Sequence, residues 1–206
     1  MERYPLELTT FKTDYYQPKP HYRNKQSWDH FTMHIPLWIK VLTHYFDNKS
    51  NLKFLELGSG NGLCANYLLD NYNCTLDTVD MTDIRVENVD GVDYEISTTK
   101  NLKPFIDGGR CVFNPKSTKD FLHEMIAVNL NEDEKYDFIY VDASHEPDDV
   151  LYDSVLSFEL LKKEGLMIFD DYGWGECGKG IDSFLSAYEK KYTEVFKGYQ
   201  VGIHKL

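Results

Sequence analysis

From residue 52 onward, short apolar runs alternate with segments whose apolar residues recur at helical spacing. Residues 52–57, 74–79, 110–114, 136–141 and 166–169 read as strands, and 63–72, 117–128 and 149–163 as helices. Ile181, Phe184, Leu185 and Tyr188 carry the i, i+3, i+4, i+7 signature of a further amphipathic helix. Residues 194–197 and 200–204 close the chain as two short strands with Gly198 near the turn. Strand–helix alternation of this kind predicts an α/β fold: a Rossmann-like, doubly wound, seven-stranded sheet, mostly parallel. The closing pair is joined too tightly for a crossover, so one of its strands must run antiparallel.

Upstream, Phe31, Ile35, Trp38, Val41, Leu42 and Tyr45 predict a helix over 28–46, with Ser27 as its cap and Pro36 marking a kink or a later start. Residues 1–26, with Pro5, Pro18 and Pro20, read as an irregular arm. Residues 81–109 are the least periodic part, with a short helix expected near 98–106. The division is thus an N-terminal arm and helix over 1–50 and a sheet domain over 51–206.

The 206 residues suit one compact domain with a real core. Lys and Arg number 22 against 34 Asp and Glu, a net charge of −12 that disfavours a nucleic-acid backbone as partner. Cys64, Cys74, Cys111 and Cys177 form no CxxC and read as structural or incidental thiols. With no basic and apolar leader and no apolar stretch approaching 18 residues, the expected location is the cytoplasm, away from membranes. His30 and His34, four apart, have no third ligand in sequence and read as incidental.

Two groups of residues carry chemistry. In the first, Glu56, Gly58, Ser59, Gly60, Asn61 and Gly62 follow a strand and open a helix, where ligands bind in open α/β sheets. The glycines let backbone approach a ligand, and the helix start presents free N–H groups. The third glycine falls one residue too early for a dinucleotide fingerprint, which makes a nicotinamide dehydrogenase improbable, and Glu56 favours a ligand with a cationic end. Asp80, ending the next strand, stands where an acid reaches a ribose diol.

These residues resemble the cofactor motifs of class I S-adenosylmethionine-dependent methyltransferases, over roughly residues 50–206. The resemblance implies that the glycine loop holds the methionine part of the cofactor, Asp80 the ribose, and Ser117 and Asp142 further parts of the cofactor, Ser117 at the adenine region.

In the second group, Asp142 with His145 ends the fourth core strand, and Asp170-Asp171-Tyr172 ends the fifth. Three crowded aspartates repel one another unless a cation lies between them, and hard oxygen ligands suit Mg²⁺, Ca²⁺ or Mn²⁺. Asp-x-x-His with Asp-Asp-Tyr is similar to the metal-dependent O-methyltransferases, both catechol-type and macrolide-sugar enzymes. That likeness implies Asp142, Asp170 and Asp171 as ligands of a divalent cation, Mg²⁺ foremost, and His145 as general base. The catechol branch has a lysine where this chain has none. The glycine-rich loop after Asp171 reads as a wall of the acceptor pocket, with Tyr172 and Trp174 as contacts.

The expected function is methyl transfer to a hydroxyl of a small molecule, with a homodimer as the candidate assembly. Two alternatives stay open: a metal-independent methyltransferase acting on nitrogen, nucleic acid or protein, and a nucleoside-binding module without catalysis.

Overall fold

The computed structural model describes residues 31–89 and 91–206. The expected arm, with Trp28 and His30, lies outside the described residues. A 3₁₀ turn, Thr32–His34, leads into α1 (Ile35–Phe46), so the helix begins later than residue 28. Pro36 lies in the first helical turn, where its missing N–H has no intrahelical partner to lose.

The elements that follow are β1 (Leu52–Leu57), α2 (Leu63–Asn71), β2 (Cys74–Asp80), β3 (Ile84–Val89), β4 (Val92–Ser97), α3 (Thr98–Asp107) and β5 (Cys111–Pro115). After them come α4 (Thr118–Val128), β6 (Tyr136–Val141), α5 (Pro147–Leu160), β7 (Leu161–Phe169), α6 (Cys177–Tyr188), β8 (Tyr192–Lys197) and β9 (Val201–Lys205). Seven strands form one sheet in the order β5-β2-β1-β6-β7-β9-β8. The pairs from β5 through β7 are parallel, and β9 runs antiparallel to both β7 and β8. The strand order reverses between β1 and β6, the crevice where such sheets bind ligands.

The period of two along the strands divides the core into two layers. Phe54, Phe138, Tyr140, Leu166 and Ile168 face one side, against Trp38, Val41 and Leu42 of α1 and Leu68 of α2. Leu55, Leu57, Ile139, Val141, Met167 and Phe169 face the other, against Phe121 of α4, Phe158 of α5 and Phe184 of α6. Among the described residues no helix is long and apolar enough to cross a membrane.

Two expectations are corrected. The helix expected over 149–163 ends at Leu160, and Leu161 already pairs with Tyr136 in the sheet. At this end Leu161 turns to an extended backbone, and Lys205 of β9 caps the helix by donating through Nζ to the carbonyls of Phe158 and Leu161, at 2.6 and 2.7 Å. Residues 81–109 contain an antiparallel hairpin, β3 with β4, that the periodicity does not predict. Its sequence signal is the Asp90-Gly91 pair between two β-prone runs, with Gly91 at φ 81°. Ile84 and Val86 stand exposed on it, so these two apolar residues mark no buried face in the pattern.

Asp153 ties α5 to α4. It is buried, and the Thr118 hydroxyl lies 2.9 Å from both carboxylate oxygens. Burial pushes its pKa up from 3.8 to about 6. A pKa raised on folding favours the folded state below the unfolded value, and that contribution is lost as pH rises through the folded value. Asp153→Asn is therefore expected to stabilise the protein at pH 8, by on the order of 2 kcal/mol. The gain should vanish near pH 4. Melting curves across that range check both statements, and equal melting temperatures at pH 8 would refute the desolvation of Asp153.

Candidate active site at the strand ends

The rim is built by backbone bonds that continue the sheet one residue past its strands. The amide of Gly58 donates to the carbonyl of Val79, that of Asp142 to Leu57, and that of Asp170 to Val141, at 2.8, 2.8 and 3.0 Å. Gly58, Asp142 and Asp170 therefore stand side by side. Gly58 has no substitute there, because a Cβ would lie 1.8 Å from the Asp142 carbonyl oxygen and its φ is 92°.

Glu56 points from β1 into the space behind the glycine loop. It is buried, one oxygen accepts from the Thr78 hydroxyl, and Ser59 Oγ lies 2.6 Å from that hydroxyl. Thr78 has one proton, given to Glu56, so Ser59 donates to Thr78. The other oxygen, Oε1, makes no hydrogen bond within the described residues, although the Cys64 thiol and the Ala65 amide lie close enough to favour the charge. Burial outweighs these contacts and raises the pKa of Glu56 from 4.5 to about 7. Asp80, at the end of β2, accepts from the amide of Gly60 at 3.1 Å. Asn61 accepts from the amide of Leu63 at 3.0 Å, and Gly62, at φ 79°, precedes α2. Ser117 caps α4, accepting from the amide of Asp120.

On the other side of the switch point, Asp142, His145 and Asp171 each bring one donor atom to within 4.8 Å of the others. A cavity of about 10 Å³, roughly one water-sized sphere, is lined by these three residues and Asp170 on one side and by Val150, Asp153, Cys177 and Ile181 on the other. Burial, with Asp170, Asp171 and Glu56 nearby, holds the Asp142 carboxyl well above the usual carboxylate range. Asp171, at φ 53°, has both oxygens engaged: Tyr199 donates to one at 2.6 Å and His145 Nε2 lies 3.0 Å from the other. Trp174, half exposed, packs edge-on against the His145 ring, with centroids 4.6 Å apart. Tyr172 is not brought to this cluster; its hydroxyl bonds Asp182 of α6, and its ring lies beneath the Lys197 ammonium.

Asp170 shows partners that sequence reasoning missed. Gln200 donates to its Oδ1 at 2.7 Å, and Trp38 of α1 donates to the Gln200 carbonyl oxygen at 2.8 Å, which fixes the orientation of that amide. His34, read from sequence as incidental, is buried with its Nε2 3.9 Å from Asp170 and its ring stacked on Tyr199. Burial raises the pKa of Asp170, while Gln200 and His34 act to lower it. Neither spacing nor motif connects residues 34, 38, 199 and 200 to the acids; the antiparallel return of β9 does.

The sequence profile of a methyltransferase domain family matches residues 55–172. The chain belongs to the methyltransferase domain family. No curated protein matches this methyltransferase in sequence. Among solved structures it is similar to an O-methyltransferase from Bacillus cereus in complex with SAH, with 13% identity, TM-score 0.56, and coverage of 84% of this chain and 90% of that one. The N-methyltransferase NodS from Bradyrhizobium japonicum, in complex with S-adenosyl-L-homocysteine, gives 11%, 0.54, 90% and 94%. MycE, from the mycinamycin biosynthetic pathway and in complex with Mg and SAH, gives 16% and 0.57, with 86% of this chain covered but 51% of MycE. At such identities the likeness is one of fold.

The methyltransferase domain implies S-adenosylmethionine, and the residues fit it: the buried Glu56 carboxylate suits a cationic group, and around Gly60 no described residue lies within 4 Å of a Cβ position. The donor set also fits a divalent cation, with carboxylate and imidazole donor atoms within 4.8 Å of one another and carboxylates that repel one another without a cation. Gly58→Ala is expected to destabilise the methyltransferase by about 3 kcal/mol or more. Gly60→Ala, in open space, should cost only about 1 kcal/mol of backbone strain. Urea unfolding of both variants measures the difference; equal losses would mean that the β1–β6 contact does not constrain the rim.

Proposed function

We propose that this S-adenosylmethionine-dependent methyltransferase methylates a hydroxyl of a small molecule. In this reading a divalent cation is held by Asp142, Asp170 and Asp171, and His145 is the general base. The observation that supports it is the convergence of Asp142, His145 and Asp171 beside the glycine loop, with Asp170, which lies outside that convergence, lining the same cavity. When bound, S-adenosylmethionine supplies a methyl group on a positively charged sulfur, and the cation, Mg²⁺ by the likeness to MycE, supplies a Lewis acid for acceptor oxygens.

The chain's own residues do the rest. Glu56 faces the cationic end of the cofactor, with Ser59 and Thr78 keeping its carboxylate in place. Gly58, Gly60, Asn61 and Gly62 give it backbone to approach, Asp80 takes the ribose, and Ser117 borders the adenine. His145 removes the hydroxyl proton. With Nε2–H directed to Asp171, Nδ1 keeps the lone pair that accepts this proton, and Asp171 stabilises the imidazolium that results. Trp174 holds the imidazole edge-on and forms a wall for the acceptor.

One observation favours a second reading, a metal-independent enzyme. Tyr199 and His145 already engage both oxygens of Asp171, a histidine–aspartate pair that works as a base without a cation.

The purified protein, given labelled S-adenosylmethionine and a panel of phenols, diols and sugars, is expected to methylate a hydroxyl with Mg²⁺ and to stop with a chelator. Turnover that survives the chelator in a metal-free preparation selects the second reading. His145→Ala should lower turnover about 100-fold while leaving affinity for S-adenosylhomocysteine unchanged; unaltered turnover removes His145 from the mechanism.

Affinity for S-adenosylhomocysteine, whose amino-acid end bears an ammonium, should fall as pH drops from 8 to 6. Glu56, with its pKa raised to about 7, takes up a proton over that range and loses its charge. Glu56→Gln should weaken binding at pH 8 and abolish this dependence. Calorimetry at three pH values decides, and a flat wild-type profile would place the cationic end elsewhere.

A further inference from the structure

The stretch between β2 and β5 has no task in the reaction just described. Its hairpin does not pair with the main sheet, yet its two ends are tied together. Asp83, just before β3, accepts from the amide of Thr99 at 2.7 Å and from the hydroxyl of Ser97 at 3.3 Å. Its carbonyl accepts from the amide of Thr98 at 3.1 Å. Ser97 also caps α3, accepting from the amide of Lys100 at 3.1 Å. These bonds fix where α3 begins.

The first turn of α3 lies against the glycine loop. The buried Thr98 hydroxyl donates to the Gly60 carbonyl at 2.8 Å, and the Asn101 side-chain amide donates to the Asn61 carbonyl at 2.8 Å. The Leu102 side chain lies 3.1 Å from where a Cβ on Gly62 would stand. Residues 98, 101 and 102 share one helical face and meet residues 60, 61 and 62 in order.

Three successive peptide planes are thereby held. The plane before Gly60 is fixed by its amide on Asp80, the next by the Gly60 carbonyl on Thr98, and the third by the Asn61 carbonyl on Asn101. Gly60, at φ 52° and with nothing near its Cβ position, has no packing that would do this instead.

We infer that the first turn of α3 is a brace that sets the affinity of the glycine loop for its ligand, with Thr98 and Asn101 as positioning residues. This rests on the cofactor role proposed for that loop. The brace acts by ordering the loop before binding, so that the ligand does not bear the ordering cost.

Thr98→Val keeps the shape and removes the hydroxyl, and Thr98→Ser keeps the hydroxyl. Asn101→Ala, at a half-buried position, serves if Thr98→Val does not fold. Lys103→Ala, in an exposed pair with Asp107, is the control on the same helix. The readouts are calorimetric affinity for S-adenosylhomocysteine and hydrogen exchange of the ligand-free protein over residues 58–66.

Thr98→Val and Asn101→Ala should each bind about ten-fold more weakly and exchange faster in that segment. Thr98→Ser and Lys103→Ala should stay within about two-fold of the wild type. Wild-type affinity in Thr98→Val and Asn101→Ala, or exchange unchanged over 58–66, overturns the inference alone. A wild-type protein that binds no S-adenosylhomocysteine overturns the cofactor reading of the loop and the inference with it.

Discussion

Four carboxyl groups, those of Glu56, Asp142, Asp170 and Asp171, stand on three neighbouring strands or just past their ends. Burial makes their mutual repulsion more costly than it would be in water. Much of the surrounding architecture answers that constraint. Thr78 donates to Glu56, Gln200 to Asp170 and Tyr199 to Asp171, while His145 and His34 lie beside the aspartate pair. Asp142 is held well above the usual carboxylate range by burial first and then by its three acidic neighbours, with a hydrogen bond to Tyr140 acting the other way. A cationic cofactor and a divalent ion are the kinds of ligand that such a rim favours.

The sheet makes this crowding feasible. Parallel strands bring their C-terminal ends to one edge, and continued backbone bonding places Gly58, Asp142 and Asp170 in register. The two apolar layers then fix the sheet from both faces, so the rim inherits the rigidity of a close-packed interior. The antiparallel return of β9 differs in purpose from the parallel strands: it carries Tyr199 and Gln200 back over acids that the crossovers alone would leave bare.

What was legible in the sequence follows from periodicity. The strands and most of the helices repeat at 2.0 or 3.6, and the acids stand at strand ends where the topology gathers them. The hairpin was not legible, because exposed Ile84 and Val86 bury no face and only Asp90-Gly91 marks the turn. Leu161 was misplaced because a leucine at the end of an apolar helical stripe is indistinguishable from the first residue of a buried strand; its pairing with Tyr136 and its bond from Lys205 come from distant parts of the chain. His34, Trp38, Tyr199 and Gln200 were missed for the same reason. Their connection to the acids spans the length of the fold and leaves no local spacing to read.

The bond from Trp38 to Gln200 joins residues 162 positions apart. On a ribosome, Asp170 and Asp171 emerge before the turn at 198–200 that brings Gln200 and Tyr199 to them. The parallel sheet from β5 to β7 can form while the acidic edge is still uncompensated, and the last strand pair closes it. The contacts from residues 199 and 200 to the acidic rim are thus of high sequence separation, the kind whose closure carries the larger loop entropy.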